Sequence, residues 1–277
     1  MPIITQSDTR SFVSTAKFVA PPRMRGPVEE AAPPVELKQT EAQALVVGSG
    51  LIVAAENVPV TTREDLINCT LFAQLAAGGE LADPTDVASW YAAYFRGLTA
   101  LGWAQSDMQF EEYESGSKGL EANKAIIQVL TVLLGPGAAA LAVVKVTLDA
   151  LASMDEGNPW ITLFNRESKS AKSAKFQVAT AQVDTNGLLE IALVGFNLKS
   201  KSTLTQVLFF KYGANKTRLK FASGKATIYE AALANQRTAI AQRLAAYRTA
   251  YVMQVKFPPL PPGTRAIPKM RSAKKRK

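Results

Sequence analysis

The dominant spacing of apolar residues changes close to Trp160. Before this point, apolar residues recur with the period of helices that bury one face. After it, apolar runs are separated by tight turns, and residues 184–187 contain Asn-Gly, the strongest short hairpin signal. Helices followed by a meander of strands predict an α+β fold rather than a doubly wound parallel sheet.

Two helical hairpins are predicted ahead of the sheet. In the first, Thr62 and Asp65 have the spacing of a capping box. Its second helix is predicted to begin at Asp83-Pro84, because aspartate caps helices and proline suits the first helical position. The second hairpin turns at Gly135-Pro136-Gly137.

The stretch from Ala125 to Val144 carries no charged side chain and is long enough to span a bilayer. The Gly-Pro-Gly breaker at its centre favours two helices folded against each other. The sequence leaves three interpretations open: a buried hairpin, a hairpin that inserts into a membrane, and a permanent span.

The pattern predicts one domain at residues 44–254 between two disordered tails, 1–43 and 255–277, which are rich in proline and lack periodicity. Within the domain, the second hairpin comprises helices at residues 120–134 and 138–154, and a last helix is predicted at residues 229–253. Strands are predicted at residues 44–53, 160–165, 175–183, 188–198, 203–212 and 218–222.

The net charge of +9 belongs to the C-terminal tail rather than to the domain. Residues 254–277 hold eight basic side chains and no acidic one. Such a tail is either simply solvated or attracted to an anionic partner such as a lipid surface. Because the rest of the chain is nearly neutral, we expect no nucleic-acid partner.

Missing residue types narrow the chemistry. The chain has no histidine and a single cysteine, Cys69, which excludes histidine-based catalysis, histidine-ligated zinc and intrachain disulfides. We therefore expect no enzyme, no metal site and no cofactor. The alternative is an enzyme that uses the carboxylates of the acidic cluster or a Ser-Lys pair from Ser168, Lys169, Ser170, Lys172 and Ser173. The members of the acidic cluster are Asp107, Glu111, Glu112 and Glu114.

Four short segments of the second half resemble the Cyt-type cytolytic δ-endotoxins. They are Asn158-Pro159-Trp160-Ile161, Val194-Gly195-Phe196, Gln206-Val207-Leu208-Phe209-Phe210 and Leu219-Lys220-Phe221-Ala222. The resemblance implies a three-layer α/β/α, Cyt-like fold in which an antiparallel-rich sheet is sandwiched between layers of helical hairpins. The wider fold group includes proteins that resemble the Erwinia virulence factor.

By the same resemblance, the protein is expected to be a membrane-active, lipid-binding toxin or virulence-type protein that forms pores after proteolytic removal of its tails. The alternative is a non-lytic lipid-carrying or interaction protein of the same fold. The implied partners are a lipid membrane or a fatty acyl ligand, with homo-oligomers on membranes. No classical signal peptide is recognisable, so we expect synthesis as a soluble cytoplasmic protein and, for a toxin, action outside the producing cell.

The resemblance implies that the long strands contact lipid, although their apolar residues are equally typical of a sheet core. The residues concerned are Phe176, Val178, Val194, Phe196, Val207, Phe209 and Phe210. Cys69 is interpreted as a buried, inert thiol, with acylation by a lipid as the alternative.

Overall fold

The computed structural model describes residues 5–19 and 35–256, apart from residues 82, 84, 107, 115–118, 156, 210 and 214–216. The helices are α1 (Gln6–Thr15), α2 (Val60–Glu80), α3 (Val87–Ala100), α4 (Ala122–Leu134), α5 (Ala139–Ala152), α6 (Pro159–Ser168), α7 (Glu230–Leu233) and α8 (Arg237–Tyr251). The strands are β1 (Gln43–Val47), β2 (Gly50–Ala54), β3 (Trp103–Gln105), β4 (Glu111–Glu112), β5 (Gly119–Glu121), β6 (Ser173–Val183), β7 (Leu189–Ser200), β8 (Lys211–Gly213), β9 (Thr217–Ile228) and β10 (Val252–Val255).

Eight strands form the central sheet, in the order β10-β1-β2-β6-β7-β9-β3, with β4 paired to β9. Only the β2–β6 pair is parallel among the strand pairs that the structure describes. The pairing brings the start of β1 and the ends of β2, β6, β9 and β10 to one end of the sheet. We call this the turn end, because it carries the β6–β7 turn.

Helices cover both faces of the sheet. Ala179 and Ala181 of β6 face a core formed with α2, α3 and α8, whereas Phe176 and Val178 face a core formed with α4, α5 and α6. This alternation is expected of a strand buried on both sides. The predicted α+β, three-layer α/β/α fold is confirmed.

Residues 160–165 are helical, so the predicted strand there is wrong. The Asn158 side chain accepts a hydrogen bond from the Trp160 N–H at 3.2 Å, and Pro159 occupies the first turn of α6. This is the cap-and-proline signal that starts helices. The aromatic and β-branched residues of the segment had suggested a strand.

The predicted long strand at residues 203–212 is also wrong, since residues 201–209 have no regular structure and β8 begins at Lys211. The segment satisfies its backbone elsewhere: the Val207 N–H donates to the Asn165 side chain, and the Leu204 N–H donates to the Ala171 carbonyl. The strand beside β7 is β9, which is longer than the predicted 218–222. An apolar run alone does not distinguish a buried strand from a buried loop.

Residues 44–53 form two strands instead of one. Val47 pairs with Gly50 across a two-residue turn, and Gly48 adopts a φ of 54°, a left-handed conformation that glycine accepts without steric cost. Gly48 and Gly50 therefore mark a hairpin between two strands rather than the interior of one.

The N-terminal arm, predicted to be disordered, contains a helix. Helix α1 is capped by Thr5, and its Val13 is buried in the α2–α3–α8 core. Residues 20–34 of the arm and 257–277 of the C-terminal tail lie outside the described residues, so the predicted disorder there stays a prediction.

Two predicted helix starts also shift. Helix α2 begins at Val60 without a side-chain cap, and α3 begins at Val87 with Asp86 as its cap. Asp65, predicted to belong to a capping box, accepts both hydrogen bonds of a bidentate pair with Arg237, at 2.9 and 2.8 Å. Pro84 lies outside the described residues.

Candidate functional site

The α4–α5 hairpin packs on the sheet through apolar side chains. Its buried residues include Ile126, Leu130, Leu141, Val144 and Leu148, all in contact with the core above β6 and β7. The Gly135-Pro136-Gly137 turn confirms the predicted antiparallel pair, and no helix in the described part of the chain is both long and apolar enough to cross a bilayer. The structure thus shows a hairpin buried by one face.

A buried polar ladder ties the start of α5 to the turn end of the sheet. The Gln182 side chain accepts a hydrogen bond from the Ala140 N–H at 3.0 Å and donates to the Glu190 carboxylate at 2.6 Å. Glu190 also forms an ion pair with Lys225. The ladder satisfies one of the N–H groups that the first turn of a helix leaves without an intrahelical partner.

The strand residues predicted to contact lipid lie in the interior. Phe176, Val178, Val194, Phe196 and Val207 are buried under α4, α5 and α6. Phe209 is partly buried against the same core, and Phe210 lies outside the described residues. Any contact of the buried five with lipid therefore requires the covering helices to move.

A hydroxyl group fixes β6 against β7 on the opposite face. The Tyr91 oxygen lies 2.8 Å from the carbonyl oxygens of both Phe176 and Phe196, within donating distance of each. Gly195 makes room for the ring, because a Cβ at this position would lie 2.7 Å from the Tyr91 ring. Burial raises the pKa of Tyr91 far above its usual value, so the hydroxyl stays protonated and able to donate.

Arg63 holds the turn end of the sheet together from within. It is 1% exposed, and its guanidinium donates to the Val58 and Ala55 carbonyls and to the Gln43 side chain at 2.7–3.0 Å. Burial lowers the pKa of Arg63 to about 10, at which the guanidinium still carries its charge at neutral pH. Its neutral oxygen partners join β1, β2 and the start of α2.

Cys69 lies inside α2 with 1% of its surface exposed. Burial raises the pKa of its thiol well above the usual range, which suppresses the reactive thiolate. The neighbouring aromatic residues Trp90, Tyr94 and Trp103 are buried in the same core.

The residues of the two catalytic alternatives differ in exposure. Glu111, Glu112 and Glu114 are exposed, and Asp107 lies outside the described residues. The Ser168 hydroxyl is buried, whereas the Lys169 ammonium donates to the Thr205 carbonyl. The described residues also contain no group of three or more side chains able to hold a metal ion.

Three solved structures are similar to this chain. A structure named delta-endotoxin aligns with a TM-score of 0.40 and 12% identity over 76% of this chain and 91% of that one. The activated Cyt2Ba monomer from Bacillus thuringiensis subsp. israelensis gives 0.37 and 12% over 64% and 95%. The Evf virulence factor gives 0.34 and 11% over 73% and 84%.

The predicted resemblance is to the same Cyt-like fold group as these structures, and the likeness concerns the fold alone. No protein-family model matches the sequence. No curated protein matches it either.

Proposed function

We propose that this protein is a membrane-active, lipid-binding protein of toxin or virulence type, which permeabilises bilayers after removal of its tails. The observation that carries the proposal is the uncharged stretch 125–144 of the α4–α5 hairpin, which lies on a long apolar β-hairpin and turns at Gly-Pro-Gly. Strands β6 and β7 have 11 and 12 residues, long enough to reach across the hydrocarbon of a bilayer.

The cost of uncovering these strands in water explains why a lipid surface is needed. The side chains of Phe176, Val178, Val194 and Phe196 are at most 1% exposed. Exposing a buried side chain of this kind costs about 1.5–3 kcal/mol, so the four together cost on the order of 6–12 kcal/mol. That is comparable with the whole stability of a typical domain. In contact with acyl chains, most of this cost disappears.

The backbone of the uncovered strands would not be left without partners. Residues 173–183 pair with 189–199 along their whole length, and β7 pairs with β9 on its other side. Backbone groups that are already paired remove the largest obstacle to entering hydrocarbon. Self-association of several copies on the membrane would satisfy the outer edges, in line with the expected homo-oligomer.

Dye release from liposomes tests the proposal. Intact and protease-trimmed protein would be added to neutral and to anionic vesicles loaded with a self-quenching dye. We expect leakage that increases after trimming. Absence of leakage with both forms and both lipids would refute permeabilisation, and a fatty acid that co-purifies with the protein would then favour the non-lytic lipid carrier.

A further inference from the structure

Exposed apolar side chains are concentrated at one end of the molecule. Five large apolar residues are exposed in the described part of the chain: Val19, Val132, Leu188, Leu189 and Tyr229. Val132 and Leu188 are 84% and 65% exposed. Single exposed aliphatic residues are common on protein surfaces, so only their grouping is informative. Leu188, Leu189 and Tyr229 lie at the turn end of the sheet, and Val132 lies in the last turn of α4, next to the α4–α5 turn.

The strand register places Leu188, Leu189 and Tyr229 together. Ile191 of β7 pairs with Ala226 of β9, so Leu189 and Tyr229 continue the two strands toward the same end. Leu188 precedes β7 in the β6–β7 turn. This turn is well defined, since the Asp184 carboxylate accepts hydrogen bonds from the backbone of Asn186 and Leu188, both at 2.8 Å.

The tip of the α4–α5 hairpin reaches the same end. The Ala140 N–H is bonded to Gln182, one residue before the end of β6. Val132 lies in the last turn of α4, beside this tip. A Cβ on Gly135, Gly137 or Gly187 would meet no atom within 4 Å, so both turns project into open space.

Two acidic residues near these turns are ion-paired, whereas the Asp184 carboxylate of the β6–β7 turn accepts backbone hydrogen bonds and keeps its charge. Glu190 pairs with Lys225, and Glu230 pairs with Arg237. Residues 125–144, which include the helical tip, carry no charge. The carboxylates of Glu190 and Glu230 are therefore neutralised by ion pairs beside the apolar side chains of this end.

The basic tail leaves from this end as well. Val255, the last residue of β10, pairs with Ala44 at the start of β1. The start of β1 lies beside the end of β2, which pairs with Ala181 near the end of β6, so β10 ends at the turn end of the sheet. The 21 residues that follow Lys256 carry seven basic side chains and no acidic one. A polybasic segment is attracted to anionic lipid headgroups, and apolar tips beside it would enter the interface.

We propose that the turn end is the membrane-docking surface. The tips formed by Val132, Leu188, Leu189 and Tyr229 enter the lipid interface, while the basic tail binds anionic headgroups. This inference rests on the proposed function and adds the orientation and the lipid class. In this orientation the α4–α5 turn meets the bilayer first, at the point where release of the hairpin from the sheet would begin.

A fluorescent label at each end of the full chain tests the orientation. The Leu188→Cys variant carries an environment-sensitive NBD label at the turn end, and Ser202→Cys carries it beyond the last residue of β7, at the opposite end. Cys69 is buried, so the engineered cysteine takes up the label. With vesicles of equal parts phosphatidylcholine and phosphatidylglycerol, we expect a blue shift and brighter emission at position 188 only. A response at 202 and none at 188 would overturn the proposal.

Co-sedimentation with these anionic vesicles and with neutral vesicles measures binding. It separates the contribution of the apolar tips from that of the basic tail. The triple variant Val132→Ser, Leu188→Ser and Leu189→Ser should bind at least about tenfold more weakly, because three aliphatic contacts are lost. Val19→Ser is the matched control and should bind like the parent. Replacing Lys274, Lys275, Arg276 and Lys277 by glutamine should weaken binding by roughly tenfold or more, and only to anionic vesicles.

The outcomes distinguish this inference from the proposed function. If the triple variant binds as tightly as the parent, the docking surface is overturned. This holds even if binding depends strongly on the basic tail, because the tail alone would then attach the protein to anionic surfaces. If the parent binds vesicles but the NBD label at position 188 shows no spectral change, the docking surface is also overturned. The proposed association with membranes would then still stand. If the parent chain does not sediment with either kind of vesicle, the proposed function and this inference both fail.

Discussion

Removing the side chain of Gln182 should loosen the start of α5 without disturbing the rest of the fold. In the Gln182→Ala variant, the buried Ala140 N–H loses its acceptor and Glu190 loses one hydrogen bond. Loss of a cap of this kind costs about 1 kcal/mol. The bond to Glu190 contributes on the order of 1 kcal/mol more, since the carboxylate keeps Lys225 and stays near the surface. The expected total is about 2 kcal/mol.

Hydrogen exchange followed by mass spectrometry measures this effect where it arises. A loss of about 2 kcal/mol corresponds to roughly thirtyfold faster exchange for amides of the first turn of α5. Amides of α2 and α3, on the opposite face, serve as the internal control and should exchange at the parent rate. The reasoning would be refuted by unchanged exchange at the start of α5, or by equal acceleration in both helical layers.

Three further predictions concern the frame around the site. Gly195→Ala should destabilise the fold by about 1–3 kcal/mol in urea denaturation, because its Cβ would overlap the Tyr91 ring, whereas Gly157→Ala, in open space, should be near neutral. Arg63→Met should cost at least about 3 kcal/mol, since buried oxygens lose their donor; a smaller loss would mean that water replaces the guanidinium. Backbone hydrogen bonds lower the pKa of Asp184, so its contribution to the β6–β7 turn is present above the unfolded pKa of about 3.9 and is lost as the pH falls through the lower folded value. The Leu188 amide resonance should therefore shift in acid in the parent and not in Asp184→Asn.

The fold was predictable where local and long-range signals agree. The Asn-Gly turn predicted the β6–β7 hairpin, and Gly-Pro-Gly predicted the α4–α5 turn. The prediction was wrong where an apolar run can form either a buried strand or a buried loop. In the segment 204–207, backbone N–H groups donate to α6 and to the loop after it rather than to a neighbouring strand. At Asn158-Pro159 the sequence carries a helix-capping signal, and the helix forms as that signal indicates. The prediction of a strand was wrong because it followed the strand preference of the residues after Pro159.

The site itself was less accessible to sequence reasoning. Lipid-contacting residues were predicted in the long strands, and the structure shows that five of them are covered by helices. The ladder of Gln182, Glu190 and Lys225 joins residues from three strands, so only the register of the sheet reveals it. Leu188 and Leu189 could have been noticed as two leucines directly after a tight turn, a position where solvent exposure is the rule.

Deuterium uptake of α4–α5, measured with and without anionic liposomes, tests the central claim most directly. If lipid takes the place of the sheet as the partner of this hairpin, amides of α4 and α5 should exchange differently once the protein is bound, while α2 and α3 keep their protection. Identical uptake in α4–α5 for free and vesicle-bound protein would contradict the account, because the hairpin would then remain on the sheet at the membrane.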